Sequence, residues 1–364
     1  MKFADDREKL LPHDMNNNDD TKTPRVTLKQ VAEAVGVSLA TASYALNNGG
    51  SVGRETRDRV IKEAERLGYR PNLSAKAMRT GRTGAIGMVL PDLTNPFFPL
   101  LAQTVIHAAR ELGYSVFLTD TQGSKEAEAQ SIDALIGRGV DGIVWFPIDD
   151  LPELQPNLQG VPTIVLDRTI EGFDSVLADY AAGGQLAARH LVEAGHRHIG
   201  IISGPADAMS SRLRAEAARA YLEAHANVAW QVEAAFSTDL DPGVVQTLLR
   251  GKATAVIAGA DLIAIGAIRA LQRAGRRVPD DVSVIGFDNI AWGDLCTPAL
   301  TTIDMPVSEI GTEAVAMLLR RIKAPDEPRR RIVFDVALVE RDSVAASNQG
   351  SVARRRAAAR ETRR

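Results

Sequence analysis

The sequence predicts an α/β chain, in which a small all-α module precedes two subdomains built on doubly wound parallel sheets. Three observations carry that reading. Residues 26–48 hold two short amphipathic helices around a tight glycine turn. From residue 85 onward, apolar runs too continuous to alternate are separated by helical stretches, the pattern of parallel strands covered on both faces. About 260 residues of that pattern exceed one comfortable sheet, so two subdomains with a cleft between them are expected.

The first helix starts at Thr27, a good N-cap with Gln30 three residues on, and Leu28, Val31, Ala32 and Val35 follow at helical spacing. Gly36 supplies the turn through positive φ. A second helix starts at the cap Ser38, with Ala42, Ala45 and Leu46 facing inward and Leu39, Ala40, Thr41 and Tyr44 facing out, and Asn47-Asn48-Gly49-Gly50 ends it. Two helices on this plan match a helix-turn-helix, whose second helix enters the DNA major groove, although any small helical hairpin shares the spacing. A third helix is expected over Arg54–Leu67, with Val60, Ile61, Ala64 and Leu67 inward, and Gly68-Tyr69-Arg70-Pro71 stops it. A short segment Asn72–Arg79 and a linker Thr80–Gly84 follow.

Strands are expected at Ala85–Leu90, Ser115–Leu118, Gly142–Phe146, Thr163–Leu166, Ile199–Ile202, Ala255–Ala258 and Val282–Gly286. Helices among them include Leu101–Leu112, Gln185–Glu193, Leu262–Ala274 and Ile310–Ile322.

Charge is unevenly spread over the 364 residues, whose net charge is −3. Arg25–Thr83 carries 11 Lys/Arg against 5 Asp/Glu, so +6, and Ser351–Arg364 carries 6 Arg and one Glu, so +5. Residues 1–24 carry −2 and the remaining body −12. A basic N-terminal module on an acidic body suits contact with phosphate by one end only. The Arg-rich tail reads equally as a solvated disordered extension or as an auxiliary DNA contact. The N-terminus has no apolar secretory region, no run approaches a membrane span, and a cytoplasmic protein is expected. The single Cys296 reads as a small core residue. No Walker loop, metal-spaced Cys/His cluster or GxSxG elbow occurs, so neither enzyme chemistry nor a cofactor is implied.

Further motifs continue in order: Leu67-Gly68-Tyr69-Arg70-Pro71-Asn72, Pro91-Asp92-Leu93-Thr94-Asn95-Pro96-Phe97-Phe98, Gly195-His196-Arg197-His198-Ile199-Gly200, Val278-Pro279-Asp280-Asp281-Val282-Ser283-Val284-Ile285-Gly286-Phe287-Asp288 and Leu300-Thr301-Thr302-Ile303. Together with Val26–Asn47, this string resembles the LacI family of bacterial transcription regulators over roughly residues 26–342. The resemblance implies a homodimer that reads a pseudo-palindromic operator, and a hinge coupling DNA to a periplasmic-binding-protein-like core that holds a small effector. The implied boundaries are a disordered extension 1–24, a DNA-binding domain 25–71, a hinge 72–83, a two-subdomain core 84–343 and a basic tail 344–364. A solute-binding protein of a sugar uptake system is the competing reading, and the basic helix-turn-helix counts against it.

By the resemblance, Leu39, Ala40 and Tyr44 occupy base-reading positions, and Ser38, Thr41 and Ser43 contact phosphates. Tyr44 stands where most members carry Arg, which forks onto guanine as a phenol cannot; packing or solvent exposure is its alternative role. Asn72, Ala75 and Met78 fall on the hinge, with Met78 at the position of a minor-groove wedge. Effector contacts are implied at Phe97, Phe98, Asp167, Arg168, Arg214, Phe236 (in a middle strand), Asp261 and Asp288. Carboxylates and guanidinium groups suit vicinal hydroxyls and aromatic faces suit C–H surfaces, so a sugar or sugar derivative is expected. Each has a plainer reading: Asp167–Arg168 as a surface ion pair, Phe97 and Phe98 as core, Asp261 as a helix cap. Ala260 replaces an Asn frequent in sugar-binding members, and Ala208 an Arg of the purine-responsive branch. No leucine heptad follows Asp342, so a dimer is expected rather than a tetramer.

Overall fold

The computed structural model describes residues 26–47, 50, 52–70, 77–78, 80–148, 158 and 160–347. The chain forms two compact units, Met1–Gly81 and Arg82–Arg364. Asn72, Ala75, the N-terminal extension and the Arg-rich tail lie outside the described residues. Among those described, no helix is long and apolar enough to cross a membrane.

The first unit contains α1 (Leu28–Val35), α2 (Leu39–Leu46) and α3 (Arg54–Leu67). Its N-terminal cap is a capping box: the Thr27 amide donates to Gln30 Oε1 at 2.8 Å while Thr27 Oγ1 accepts from the Gln30 amide. Gly36 turns the chain at φ 74°, and Ser38 Oγ accepts from the Thr41 amide at 3.0 Å to start α2. Val31, Ala32, Val35, Ala42, Ala45, Val60 and Ala64 form the core. Ile61 is exposed rather than inward, because the buried stripe of α3 runs through Val60 and Ala64 and Ile61 lies about 100° around the helix from Val60.

The second unit runs through β1 (Ala85–Leu90), α4 (Phe97–Glu111), β2 (Ser115–Asp120), α5 (Lys125–Gly137), β3 (Ile143–Trp145), β4 (Thr163–Leu166), β5 (Asp174–Ala178) and α6 (Tyr180–Glu193). It continues with β6 (His198–Ser203), α7 (Met209–His225), β7 (Asn227–Glu233), α8 (Pro242–Arg250), β8 (Ala255–Ala258), α9 (Asp261–Arg273), β9 (Ser283–Asp288) and α10 (Ala291–Leu295). Last come β10 (Thr301–Asp304), α11 (Val307–Lys323), β11 (Arg331–Phe334) and β12 (Ala337–Val339). Lobe one is a six-stranded parallel sheet in the order β11-β5-β4-β3-β1-β2. Lobe two is a six-stranded sheet in the order β12-β10-β9-β8-β6-β7, parallel except for the antiparallel β10–β12 pair. The chain therefore crosses between lobes three times, after β5, after β10 and between β11 and β12.

Those crossings are the part of the fold that local patterning did not announce. β5, β7, β10, β11 and β12 are absent from the expected strands, and β7 and β11 are half-exposed edge strands whose mixed composition hides them. Cys296 is half-buried rather than core, closing α10 with Sγ 3.1 Å from the Trp292 carbonyl.

A buried clamp holds the segment between the second and third crossings to lobe one. Arg321 on α11 donates from Nε and Nη2 to both oxygens of Asp174 at the start of β5, at 2.7 and 3.0 Å. Its Nη1 donates to the Pro325 and Glu327 carbonyls at 2.8 and 2.6 Å, so one guanidinium orders the loop that leads into β11. Arg321→Ala leaves Asp174 buried without its main counter-charge and is expected to cost about 3–5 kcal/mol, measured as a lowered urea midpoint.

Candidate functional site

On the first unit, α2 presents Leu39 and Tyr44 to solvent at 52% and 50% exposure, beside exposed Ala40. One face of the Tyr44 ring lies against Gly50, where φ is 67° and an added Cβ would stand 3.1 Å from the ring. Packing and exposure are thus combined in one side chain. The Ser38 hydroxyl is shared with the Thr41 amide and Thr41 Oγ1. Met78 is 90% exposed.

In the second unit a cavity of about 290 Å³ opens between the lobes. It lies beyond the carboxyl ends of parallel strands, where open α/β sheets leave a crevice. Phe97, Phe98, Phe146, Asp167 and Arg168 line it from lobe one, and Ser210, Arg214, Phe236 and Asp288 from lobe two. Phe97, Phe98 and Phe146 meet edge-to-face at 5.0–6.4 Å, forming one apolar wall. Phe97 and Phe98 are both core and lining, so the two readings offered for them coincide. Glu128, buried on α5, accepts from Trp145 Nε1 at 2.8 Å and the Ile148 amide at 3.0 Å, which fixes the segment carrying Phe146.

Two carboxylates sit at matching places in the two lobes. Asp167 follows β4 with φ 71°, and Asp288 ends β9 with φ 110°. Neither conformation is comfortable for a residue with a Cβ, and such backbone strain collects at ligand sites. Asp167 accepts from the Tyr180 hydroxyl at 2.6 Å, a charge-assisted bond worth about 1.5–3 kcal/mol. Asp167 and Arg168 are 4% and 2% exposed and 3.5 Å apart, so they are not a surface pair. Arg214 Nη1 donates to the Gly259 carbonyl at 2.7 Å and to Asp288 Oδ1 at 3.2 Å. Its guanidinium lies 3.8 Å over the Phe287 ring and 4.9 Å over that of Tyr180. Burial pushes the Asp288 carboxyl up to about 6, against the pull of Arg214, with Asp167 adding to the rise.

Two expected positions are corrected. Phe236 is in a bend after β7, an edge strand, rather than in a middle strand; Gly204 makes room for its ring, since a Cβ there would collide with it. Asp261 neither lines the cavity nor caps α9, whose N-cap is Ala260. Instead it is fully buried, with Oδ2 accepting from the Ile290 amide at 2.8 Å and Oδ1 from Thr302 Oγ1 at 2.6 Å. Its carboxylate fits only because Gly286 carries no Cβ. Tyr180, Phe146, Ser210 and Phe287 were not singled out from sequence. Phe146 closes an expected strand and the strand-end rule alone marks it; Tyr180 has no local signal.

Burial raises the Asp261 carboxyl to about 8, with Asp288 adding to the shift. The folded chain then holds a proton that the unfolded chain, with an aspartate near ~3.9, has released. This contribution to stability is complete below about pH 4 and falls away as pH rises towards 8. Asp261→Asn cannot ionise; it keeps an acceptor for the Ile290 amide and, with the Thr302 hydroxyl turned to accept, offers that residue an N–H, so its urea midpoint is expected to fall less than the wild type's between pH 5 and pH 8.

Comparison with known proteins gives a consistent set of relatives. The profile for bacterial regulatory proteins of the lacI family matches residues 27–72, and that for a periplasmic binding protein-like domain matches residues 188–344. The ribose operon repressor of Halalkalibacterium halodurans is 32% identical over 320 residues, 87% of this chain and 96% of that protein. The HTH-type transcriptional repressor PurR of Aliivibrio fischeri is 33% identical over 333 residues, 88% of this chain and 98% of that protein. The Lac repressor dimer bound to operator and the anti-inducer ONPF superposes with a TM-score of 0.79 at 28% identity, covering 88% of this chain and 100% of that one. A LacI family transcriptional regulator from Enterococcus faecium with bound ribose gives 0.66 at 31% identity, covering 72% of this chain and 99% of that one.

Proposed function

Because the chain belongs to the LacI family of bacterial regulatory proteins, we propose that it is a cytoplasmic homodimeric repressor of a pseudo-palindromic operator, controlled by a sugar or sugar derivative bound between its lobes. It is a regulator rather than an enzyme, as its relatives are. The observation that carries the effector reading is the pairing of strained carboxylates, Asp167 and Asp288, with Arg168 and Arg214 around a cavity walled by phenylalanine.

In this reading Asp167 and Asp288 accept sugar hydroxyls, Arg168 and Arg214 donate to ring or hydroxyl oxygens, and Phe97, Phe98 and Phe236 cover the apolar C–H face. The volume of about 290 Å³ suits a compact ligand. The ribose operon repressors and the ribose-bound regulator support a monosaccharide; the repressor PurR is as similar in sequence, but Ala208, in place of the Arg of the purine-responsive branch, counts against a purine. Coupling of the effector to DNA follows from its different affinity for two arrangements of the lobes, typically ~1–3 kcal/mol.

On DNA, α2 places Leu39, Ala40 and Tyr44 against base edges. Ser38 and Thr41 meet phosphate at the N-terminal end of that helix, and Ser43 meets it further along. Met78, with Asn72 and Ala75 on the same hinge, supplies the minor-groove wedge. The domain boundaries follow the same plan, with DNA binding in 25–71, a hinge in 72–83 and the effector core in 84–343.

Selection of bound duplexes from a random DNA pool, with and without ribose, tests the whole reading. A two-fold symmetric site whose recovery changes with ribose supports it; recovery of no preferred sequence under either condition refutes it. Arg214→Ala is expected to weaken effector binding about 100-fold by calorimetry, since Asp288 is left without its counter-charge. Met78→Ala is expected to weaken operator binding about tenfold or more while leaving random duplex affinity unchanged; equal losses on both would remove the wedge. Sedimentation should give the mass of two chains.

A further inference from the structure

We infer that Tyr180 is a positioning residue that latches lobe two to lobe one beneath the effector cavity and thereby keeps the cavity formed before any ligand arrives. The inference rests on the effector reading above, and the geometry behind it is independent of which ligand binds.

Helix α6 belongs mechanically to lobe two. It packs along α7 and against β8, β9, β10 and β12. Gly184 on α6 faces the Arg214 carbonyl on α7 so closely that a Cβ would collide with it, and Gly183 does the same towards the Phe287 ring. Tyr180, the first residue of this helix, is 2% exposed. Its hydroxyl nevertheless donates to Asp167 Oδ1, and Asp167 follows β4 in lobe one. The hydrogen bond therefore joins the lobes rather than two parts of one lobe. The same side chain offers its ring face to the Arg214 guanidinium, with Phe287 tilted beside it at 6.5 Å. One phenol thus touches a cavity-lining charge from each lobe.

The arrangement requires a phenol. Tyr180→Phe keeps the ring beneath Arg214 but leaves the buried Asp167 oxygen without its donor. Opening the lobes rehydrates that oxygen, so removing the hydroxyl favours the open arrangement. Burial, reinforced by the Asp167 charge, holds the phenol well above its ordinary pKa, so it remains a donor across the working pH range. A cavity held formed in this way binds without first paying for domain closure, because the competent fraction of molecules is already high.

The test uses the full chain with Cys296→Ser, and spin labels on cysteines introduced at exposed Gln130 on α5 and Gln246 on α8. Dilution with unlabelled chain isolates the pair within one protomer, and pulsed dipolar spectroscopy reads the distance between lobes. The unaltered latch is expected to give one narrow distance without ligand. Tyr180→Phe is expected to add a second, distinct distance population, which saturating ribose removes, and to weaken ribose binding about tenfold. Should Tyr180→Phe fold poorly, Asp167→Ala removes the acceptor from the other lobe and is expected to add the same second population. If a folded variant of either kind keeps the single narrow distance, the latch is overturned. If ribose does not bind the unaltered protein, the monosaccharide reading falls instead, while the ligand-free distances still decide the latch.

Discussion

Helices α6 and α7 lie together with Gly184 against the Arg214 carbonyl, and no side chain fits between them. Much of the cavity follows from this approach. It sets the height of Arg214 over Phe287 and Tyr180, and Arg214 in turn holds Asp288 and the Gly259 carbonyl. Gly183, one residue earlier, lets the Phe287 ring lie flat enough to serve as the floor under the guanidinium. A larger residue at either glycine would push α6 away and shift the cation that lobe two presents to the cavity.

Buried charge in this fold is placed in two distinct ways. The Arg321–Asp174 clamp satisfies nearly every donor of its guanidinium and ties a crossing segment to lobe one, a structural use of charge. In the cavity, Asp288 is less completely satisfied. It accepts a single longer bond, from Arg214 at 3.2 Å. A carboxylate held in place with hydrogen-bonding capacity left over suits a polar ligand that completes the set. Asp261 falls in the first class despite its position at the start of a strand-following helix, because both its oxygens are already engaged with Ile290 and Thr302.

Each of the three crossings is only one or two residues long: one residue between β5 and α6, two between β10 and α11, and two between β11 and β12. Short connections restrict motion to rotation about a narrow waist. Tyr180 begins immediately beyond the first of them.

What the sequence determined by itself was local. The capping box at Thr27 and Gln30, the glycine stops at 36 and 68, and the apolar runs at Ala85–Leu90, Thr163–Leu166 and Ala255–Ala258 depend on neighbours within a few residues, and the structure has them where the pattern places them. Strand-end reasoning and the family resemblance together brought Asp167, Arg168, Arg214 and Asp288 to one site. Only the tertiary structure decided that Asp261 is a buried brace and that Phe236 folds over Gly204 from a bend. It also decided that Tyr180 reaches Asp167 in the other lobe. Those roles depend on atoms 13 to 41 residues apart, brought together by helix packing and crossing topology. No periodicity within a single segment encodes such meetings, since the same residues at the same spacing would serve as caps or surface pairs in a different packing.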